Sequence, residues 1–241
     1  MKKVFWTIPD FEIEELQIIS FEPESLLKHL QNTRKGTKHL KCPAFQDYVK
    51  NTFVIKSPLD VEITVNRNKG MIDVAGIPQQ YTKFVVNRID EFTPQNPYVI
   101  SLFPAYLFYS NDDIHIECVP ATMETNDSIS NTMLIPGTYN ISKWIRPIDF
   151  SFEVKDDSKK IKIKRGDVLF YVKFRTKDDS KIELERTPFT EELNKTMYSC
   201  FHVKRILPGL SLKTLYSMAE SFMKTLSFRK TKKCPFGFGK K

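Results

Sequence analysis

Residues 148–174 contain three short runs in which apolar and polar side chains alternate. In residues 148–154, Ile, Phe, Phe and Val occupy every second position, a pattern typical of a strand with one buried face. Residues 160–164 continue the pattern, with Ile161 and Ile163 on one face and three lysines on the other, and residues 168–174 form a third run. Because the third run is also apolar over half of its second face, we expect a central strand that is covered on both sides.

Polar turns separate these runs, and the pattern favours a mainly β fold of the α+β class. One turn is Arg165-Gly166-Asp167, where the glycine can take a positive φ angle. Strands and long helices do not alternate along the sequence, so parallel βαβ units are not predicted. Short strands joined by charged turns are instead typical of a β-sandwich or a jelly-roll-like antiparallel core. We expect peripheral helices at the N- and C-terminal ends.

The chain has 241 residues and no clear linker between two domains, so we predict a single compact domain over residues 1–241. Its predicted β core spans about residues 52–185, and helices flank the core at about 20–50 and 190–228. Residues 229–241 form a basic tail. A content of 41% hydrophobic and 12% aromatic residues is sufficient for a packed core.

Local signals predict individual elements within this outline. Residues 13–21 include a strand candidate, and Ser20 is placed to cap a helix that ends near Gln31. The apolar residues 98–109 and 114–119 are predicted to pair as a buried hairpin.

In the C-terminal part, Thr190 and Ser211 are predicted to begin two helices, the second amphipathic through about Leu226. Residues 200–207 fit either an extension of the first helix or a strand. Trp144 stands before a predicted strand, and we interpret it as a core residue rather than as part of a partner-facing surface.

Acidic residues interrupt the apolar stretch at the N-terminus, so no signal peptide is predicted. No run approaches the ~20 apolar residues of a membrane span. We therefore expect a soluble protein in the cytoplasm of the producing cell, with no membrane partner. The four cysteines are scattered, which argues against a disulfide framework.

His115 and Glu117 lie two residues apart on a predicted strand, where such a pair shares one face. Together with His202 they supply two imidazoles and one carboxylate, a ligand set that suits Fe(II). An Fe(II)-dependent jelly-roll oxygenase of the cupin or 2-oxoglutarate type is therefore one alternative.

A zinc site could take its ligands from two pairs, His39 with Cys42 and His115 with Cys118. It fits less well, because residues three apart on a strand, as His115 and Cys118 are predicted to be, point to opposite faces.

The net charge is +8, and some of the basic residues fall in two stretches that are distant in sequence. If the stretches converge, one anion-binding surface would contain Lys160, Lys162, Lys164, Arg165, Arg229, Lys230, Lys232 and Lys233. This surface gives a second alternative, a nucleic-acid-binding module. Lysines on an edge strand also prevent edge-to-edge aggregation, and we prefer that interpretation for the first stretch.

Four stretches of the chain point to a known group of proteins. They are Cys42-Pro43-Ala44-Phe45, residues 137–147 (GTYNISKWIRP), Arg165-Gly166-Asp167 and Cys234-Pro235-Phe236. Together they resemble an uncharacterised protein family encoded by tailed phages and bacteria of marine environments. The resemblance implies a viral origin, and so a virion component or an infection-related factor. It implies no activity and no catalytic residue.

The main functional hypothesis is a non-enzymatic structural or interaction protein that acts through surface contacts. No nucleophile elbow, HExxH, P-loop or GxGxxG motif occurs, so hydrolases, zinc peptidases and nucleotide-binding folds lose their usual support. No catalytic residue and no cofactor are predicted under this hypothesis. The expected partners are other proteins, including virion proteins or further copies of the chain, and the virion is a second expected location.

Overall fold

The computed structural model describes residues 1–9, 16–66, 71–78, 81, 85–87, 99–206 and 209–231. Within these ranges, the strands are β1 (Lys2–Thr7), β2 (Glu24–Ser25), β3 (Thr52–Lys56), β4 (Val61–Asn66), β5 (Met71–Ala75), β6 (Val85–Asn87), β7 (Val99–Leu102), β8 (Leu107–Tyr109), β9 (Ile114–Pro120), β10 (Thr132–Leu134), β11 (Gly137–Asn140), β12 (Phe150–Val154), β13 (Ile161–Ile163), β14 (Val168–Thr176) and β15 (Ile182–Arg186). The helices are α1 (Leu16–Ile19), α2 (Leu26–Thr33), α3 (Pro43–Tyr48), α4 (Asp127–Ser130), α5 (Glu191–Ile206) and α6 (Leu212–Thr231), and a 3₁₀ turn covers Lys38–Lys41.

The fold is mainly β, with helices towards both ends of the described chain, which confirms the predicted fold class. The strands form four sheets, with the orders β15-β1-β8, β10-β12-β7-β6, β11-β9-β14-β3-β2 and β13-β4-β5. The pairing is antiparallel except between β1 and β15, which run parallel from Lys2 opposite Ile182 to Trp6 opposite Arg186. The first described strand is thereby joined to the last described one.

One apolar core lies between the sheets and takes side chains from all four of them. Trp6, Phe152, Phe174 and Ile163, one from each sheet, are each no more than 4% exposed. Aromatic rings from different sheets also contact each other. Phe150 of β12 stacks on Phe170 of β14, with 5.5 Å between the ring centroids. Burial of each large apolar side chain contributes about 1.5–3 kcal/mol to folding, so this sandwich-like core dominates the stability of the fold.

Strand β14 lies in the middle of the five-stranded sheet, and both of its faces are buried. Phe170, Val172 and Phe174 belong to the main core. Tyr171, on the opposite face, packs in a second cluster that includes Leu30 of α2. The expectation of a central strand covered on both sides is confirmed.

The three strands predicted in residues 148–174 are also confirmed, but each pairs outside that region. β12 pairs with β7 and β10, β13 with β4, and β14 with β3 and β9. The predicted hairpin of residues 98–109 and 114–119 is wrong, because β8 joins β1 and β9 joins β11 and β14. Between β7 and β8 the chain passes from one sheet to another. Pro104 lies in this connection, and Ala105 has a φ of 59°.

The N-terminal helix begins later than predicted. Its cap is Ser25, whose Oγ accepts a hydrogen bond from Lys28 N at 3.3 Å, and not Ser20. Glu24 and Ser25 pair with β3 as the edge strand β2, so the backbone is extended where the predicted first turn would lie. The strand candidate in residues 13–21 is wrong for residues 16–19, which form α1, and residues 13–15 lie outside the described chain.

The two C-terminal helices begin where predicted. Thr190 Oγ1 accepts from Leu193 N at 3.2 Å, and Ser211 Oγ accepts from Thr214 N at 3.3 Å. Residues 200–206 extend α5, which decides between the two interpretations of that segment. No helix in the described ranges combines the length and the hydrophobicity that a bilayer crossing requires.

The Arg165-Gly166-Asp167 turn connects β13 to β14 and holds distant segments. The Arg165 guanidinium lies over the Phe21 ring at 4.5 Å and donates to Ile19 O at 2.7 Å. The Asp167 carboxylate accepts from Asn126 Nδ2 at 2.7 Å. Both charged side chains of the tripeptide therefore make contacts within the protein. Gly166 has a φ of 91°.

We expect Gly166→Ala to lower the free energy of unfolding by about 1–2 kcal/mol, because a Cβ atom disfavours the left-handed backbone region. Steric overlap adds little, since the new Cβ would lie 3.7 Å from Phe21 Cζ. Gly137→Ala is the matched control, because that glycine has open space around it and no positive φ. Urea unfolding of both variants checks the prediction, and an equal effect in the two would contradict it.

Candidate functional site

The structure describes the side chains of two of the three residues predicted to bind iron. His115 and Glu117 share one face of β9, as expected, and lie opposite Arg175 and Lys173 of β14. The Glu117 carboxylate accepts a hydrogen bond from Arg175 Nε at 2.5 Å, so a metal ion there would have to compete with a guanidinium.

His202 lies on α5, but its side chain is outside the described part of the molecule. Among the side chains that are described, no group of three or more His, Cys, Asp or Glu is arranged to hold a metal ion. Because the third proposed ligand is not placed, convergence of His115, Glu117 and His202 stays a prediction.

The first basic stretch, which includes Lys160, Lys162 and Lys164, lies on and beside β13. This strand is at the edge of its sheet, as the interpretation of these lysines as a protection against aggregation requires. Lys160 and Lys162 are 2.7 Å and 3.4 Å from the Glu62 carboxylate, and the hydrogen bond from Lys160 is the main cause of the lowered pKa of Glu62. Arg165 faces Phe21 and Ile19, as described above. Lys164 is exposed.

The second basic stretch is not placed by the structure. Arg229 and Lys230 are at the end of α6, where side chains are not described, and Lys232 and Lys233 follow the last described residue. Whether the two stretches form one anion-binding surface therefore stays a prediction.

Sequence reasoning missed a line of buried polar groups between α2 and the sheet. His29 of α2 is only 6% exposed. Its Nδ1 lies 3.6 Å from Glu24 Oε2 and its Nε2 lies 3.3 Å from Glu124 Oε1. The Tyr171 hydroxyl of β14 donates to the same Glu124 oxygen at 3.0 Å. One imidazole thus bridges two carboxylates, and one of these is also held by a phenol.

Local sequence explains how each group reaches this place. His29 falls on the buried face of α2 together with Leu26 and Leu30. Tyr171 is on the second face of β14, and Glu124 is in the turn after β9, where its N–H donates to Ala121 O at 3.0 Å. A histidine within the apolar stripe of α2 was the available signal, but its partners are distant in sequence.

Burial opposes ionisation of Glu124, but its contacts with His29 and Tyr171, together with the nearby Arg34, outweigh that effect and lower its pKa. Burial also raises the pKa of Tyr171, and the negative charge of Glu124 raises it further. At neutral pH the carboxylate is therefore negative and the phenol is a neutral donor. His29 Nε2 lies 3.3 Å from Glu124 Oε1 but is not aligned for a hydrogen bond.

Glu124 also lines a cleft of about 300 Å³. The cleft lies between the residues that follow β9, the segment from α4 to β10, and the core. Its lining residues are Pro120, Ala121, Thr122, Glu124, Asn126, Ile129, Ser130, Thr132, Leu134, Phe150, Lys155 and Leu169.

Helices α5 and α6, here called the helical pair, form a second feature of the surface. Their inner side packs on Trp144, which is 2% exposed, through Cys200, Val203, Leu215 and Ala219. Trp144 is therefore a core residue, as predicted. Large apolar side chains of the helical pair are between 37% and 44% exposed, and these are Tyr198, Phe201, Leu212 and Met218. Leu210, in the segment between the two helices, is 40% exposed.

The chain matches no protein-family model, no curated protein and no solved structure. The resemblance to proteins of tailed phages and marine bacteria therefore stays an expectation.

We expect Glu124→Gln to lower the free energy of unfolding at pH 7 by about 1–3 kcal/mol, because the variant keeps an acceptor for Tyr171 but loses the charge. The folded-state pKa of Glu124 lies below its ordinary value of 4.5. The stabilising effect of the charge is thus complete above that pH and is lost as the pH falls through the folded-state pKa.

The difference between wild type and Glu124→Gln should accordingly shrink in acid. Chemical unfolding between neutral pH and the acid range measures it. Glu22→Gln is the control, because the Glu22 side chain is 75% exposed. A difference that is constant with pH would mean that the substitution acts through packing alone.

Proposed function

We propose that this protein is a non-enzymatic structural or interaction protein that acts through contacts of its surface. The observation behind the proposal is the exposed apolar surface of the helical pair. Twelve large hydrophobic residues are exposed in the described part of the chain, and five of them lie within residues 198–218. Concentrated apolar exposure of this kind is characteristic of protein–protein interfaces.

The chemistry of the exposed residues supports the same conclusion. Tyr198 and Phe201 are three residues apart on α5 and thus share its outer face. Aromatic residues and methionine are enriched in interfaces, and aromatic anchors often supply much of the binding energy. The inner side of the same helices packs on Trp144 and, through Leu193 and Met197 of α5, on Leu107 of β8.

We propose a second copy of the chain as the partner of the helical pair. An apolar surface is complementary to itself, because it needs no opposite charge, and two-fold pairing is the commonest way in which identical chains associate. Self-association also fits the resemblance to phage proteins, since a virion component is built from many copies. The virion or an infection-related assembly is the setting that this resemblance suggests.

Sedimentation velocity over a concentration series tests the proposal. We expect reversible self-association of the wild type, and Phe201→Glu should shift it to concentrations at least about tenfold higher, because the buried contact would be replaced by a charge. Met71→Glu is the matched control, since Met71 is 52% exposed on β5 and far from α5 in sequence.

Thermal unfolding checks that both variants are folded. Substitutions of surface residues usually change the free energy of unfolding by no more than about 0.5 kcal/mol. A wild type that stays monomeric throughout the series would overturn self-association through this surface. Equal weakening by the two variants would also overturn it.

A further inference from the structure

We propose that the cleft beside Glu124 binds a small molecule that has a protonated amine and an apolar body. The inference is independent of the helical pair and adds a ligand site to the proposed interaction function. It depends on the fixed carboxylate of Glu124, on the apolar lining of the cleft and on the size of the cleft.

The cleft lies at an open side of the sandwich. Strand β10 is at the edge of its sheet, and the opposite wall comes from the residues that follow β9. Three of the lining residues, Leu134, Phe150 and Leu169, belong to the main core. A ligand that enters between the walls therefore meets both apolar side chains and polar groups.

The carboxylate of Glu124 is held in position from behind. Its Oε1 accepts from the Tyr171 hydroxyl at 3.0 Å and lies 3.3 Å from His29 Nε2. Glu124 is one of the residues that line the cleft. Because the pKa of Glu124 is lowered, the group is ionised at neutral pH and attracts a cation. A positioned, half-buried carboxylate binds an ammonium group better than a mobile surface carboxylate does.

Three other polar side chains of the lining donate hydrogen bonds to neighbouring protein groups. Asn126 Nδ2 donates to Asp167 Oδ2, Thr132 Oγ1 donates to Ile129 O, and Lys155 Nζ donates to Ser130 O, each at 2.7 Å. Glu124 and Lys155 are the two charged residues of the described lining. Lys155 is exposed, so its charge is screened by water more strongly than that of Glu124 and opposes a cation only weakly.

The volume of about 300 Å³ restricts the ligand to a small compound. It is at the lower end of the range for small-molecule sites, and a nucleotide or a folded partner would exceed it. Phenethylamine is a suitable probe, because it combines an ammonium group with one aromatic ring. 2-Phenylethanol has nearly the same shape and no charge, so it isolates the contribution of the amine.

Chemical-shift titrations of the full chain with both probes test the proposal. We expect saturable binding of phenethylamine in the millimolar range and at least about tenfold weaker binding of 2-phenylethanol. Glu124→Gln should weaken phenethylamine binding by at least about tenfold, because a charge-assisted hydrogen bond is lost. Lys155→Met should bind phenethylamine as tightly as the wild type or more tightly, because a like charge is removed.

Only Glu124→Gln is thus expected to weaken the binding of phenethylamine. The comparison of phenethylamine with 2-phenylethanol uses the wild-type protein alone. The dispersion of the wild-type and variant spectra reports whether each protein is folded. The proposal is overturned if phenethylamine does not saturate, if the alcohol binds equally well, or if Glu124→Gln leaves the affinity unchanged.

Discussion

One face of β14 and the first half of its other face are apolar, so water must be excluded from both. The neighbouring strands β3 and β9 satisfy its backbone, while the other sheets cover Phe170, Val172 and Phe174. The opposite face needs a separate cover, which α2 and the adjoining segments provide around Tyr171. The positions of the N-terminal helix and of the turn after β9 follow from this requirement.

The same cover produces the candidate ligand site. The Tyr171 hydroxyl lies beneath the cover and needs an acceptor, because an unpaired buried hydroxyl is costly. Glu124 supplies this acceptor, and His29 approaches from the helix side. The helical pair has a different role, because it packs on Trp144 and leaves other apolar side chains exposed. The cleft beside Glu124 therefore arises where the second face of β14 is covered. The exposed apolar side of the helical pair is not part of that cover.

The sequence predicted what depends on neighbouring residues and failed where distant residues decide. Alternation around Phe150 and Phe170 predicts strands, because the side-chain period of a strand is local. Their partners β7 and β9 are chosen by the shape of the whole core, and no local pattern specifies that choice. Ser20 satisfies the capping rule as well as Ser25 does, and only the pairing of β2 with β3 decides between them. The contact of His29 with Glu124 is equally invisible, because the two residues lie on elements that meet only in the fold.

Native-state hydrogen exchange of the backbone amides tests most directly whether the fold depends on β14. Amides of residues 170–174 should exchange only through global unfolding, with the highest protection in the described chain, because opening this strand uncovers both apolar clusters. Amides of α5 and α6 should exchange through local opening at a lower free energy, since the helical pair is not part of either cover. Exchange of the β14 amides well below the global free energy of unfolding, or equal protection of the helical pair, would contradict the account.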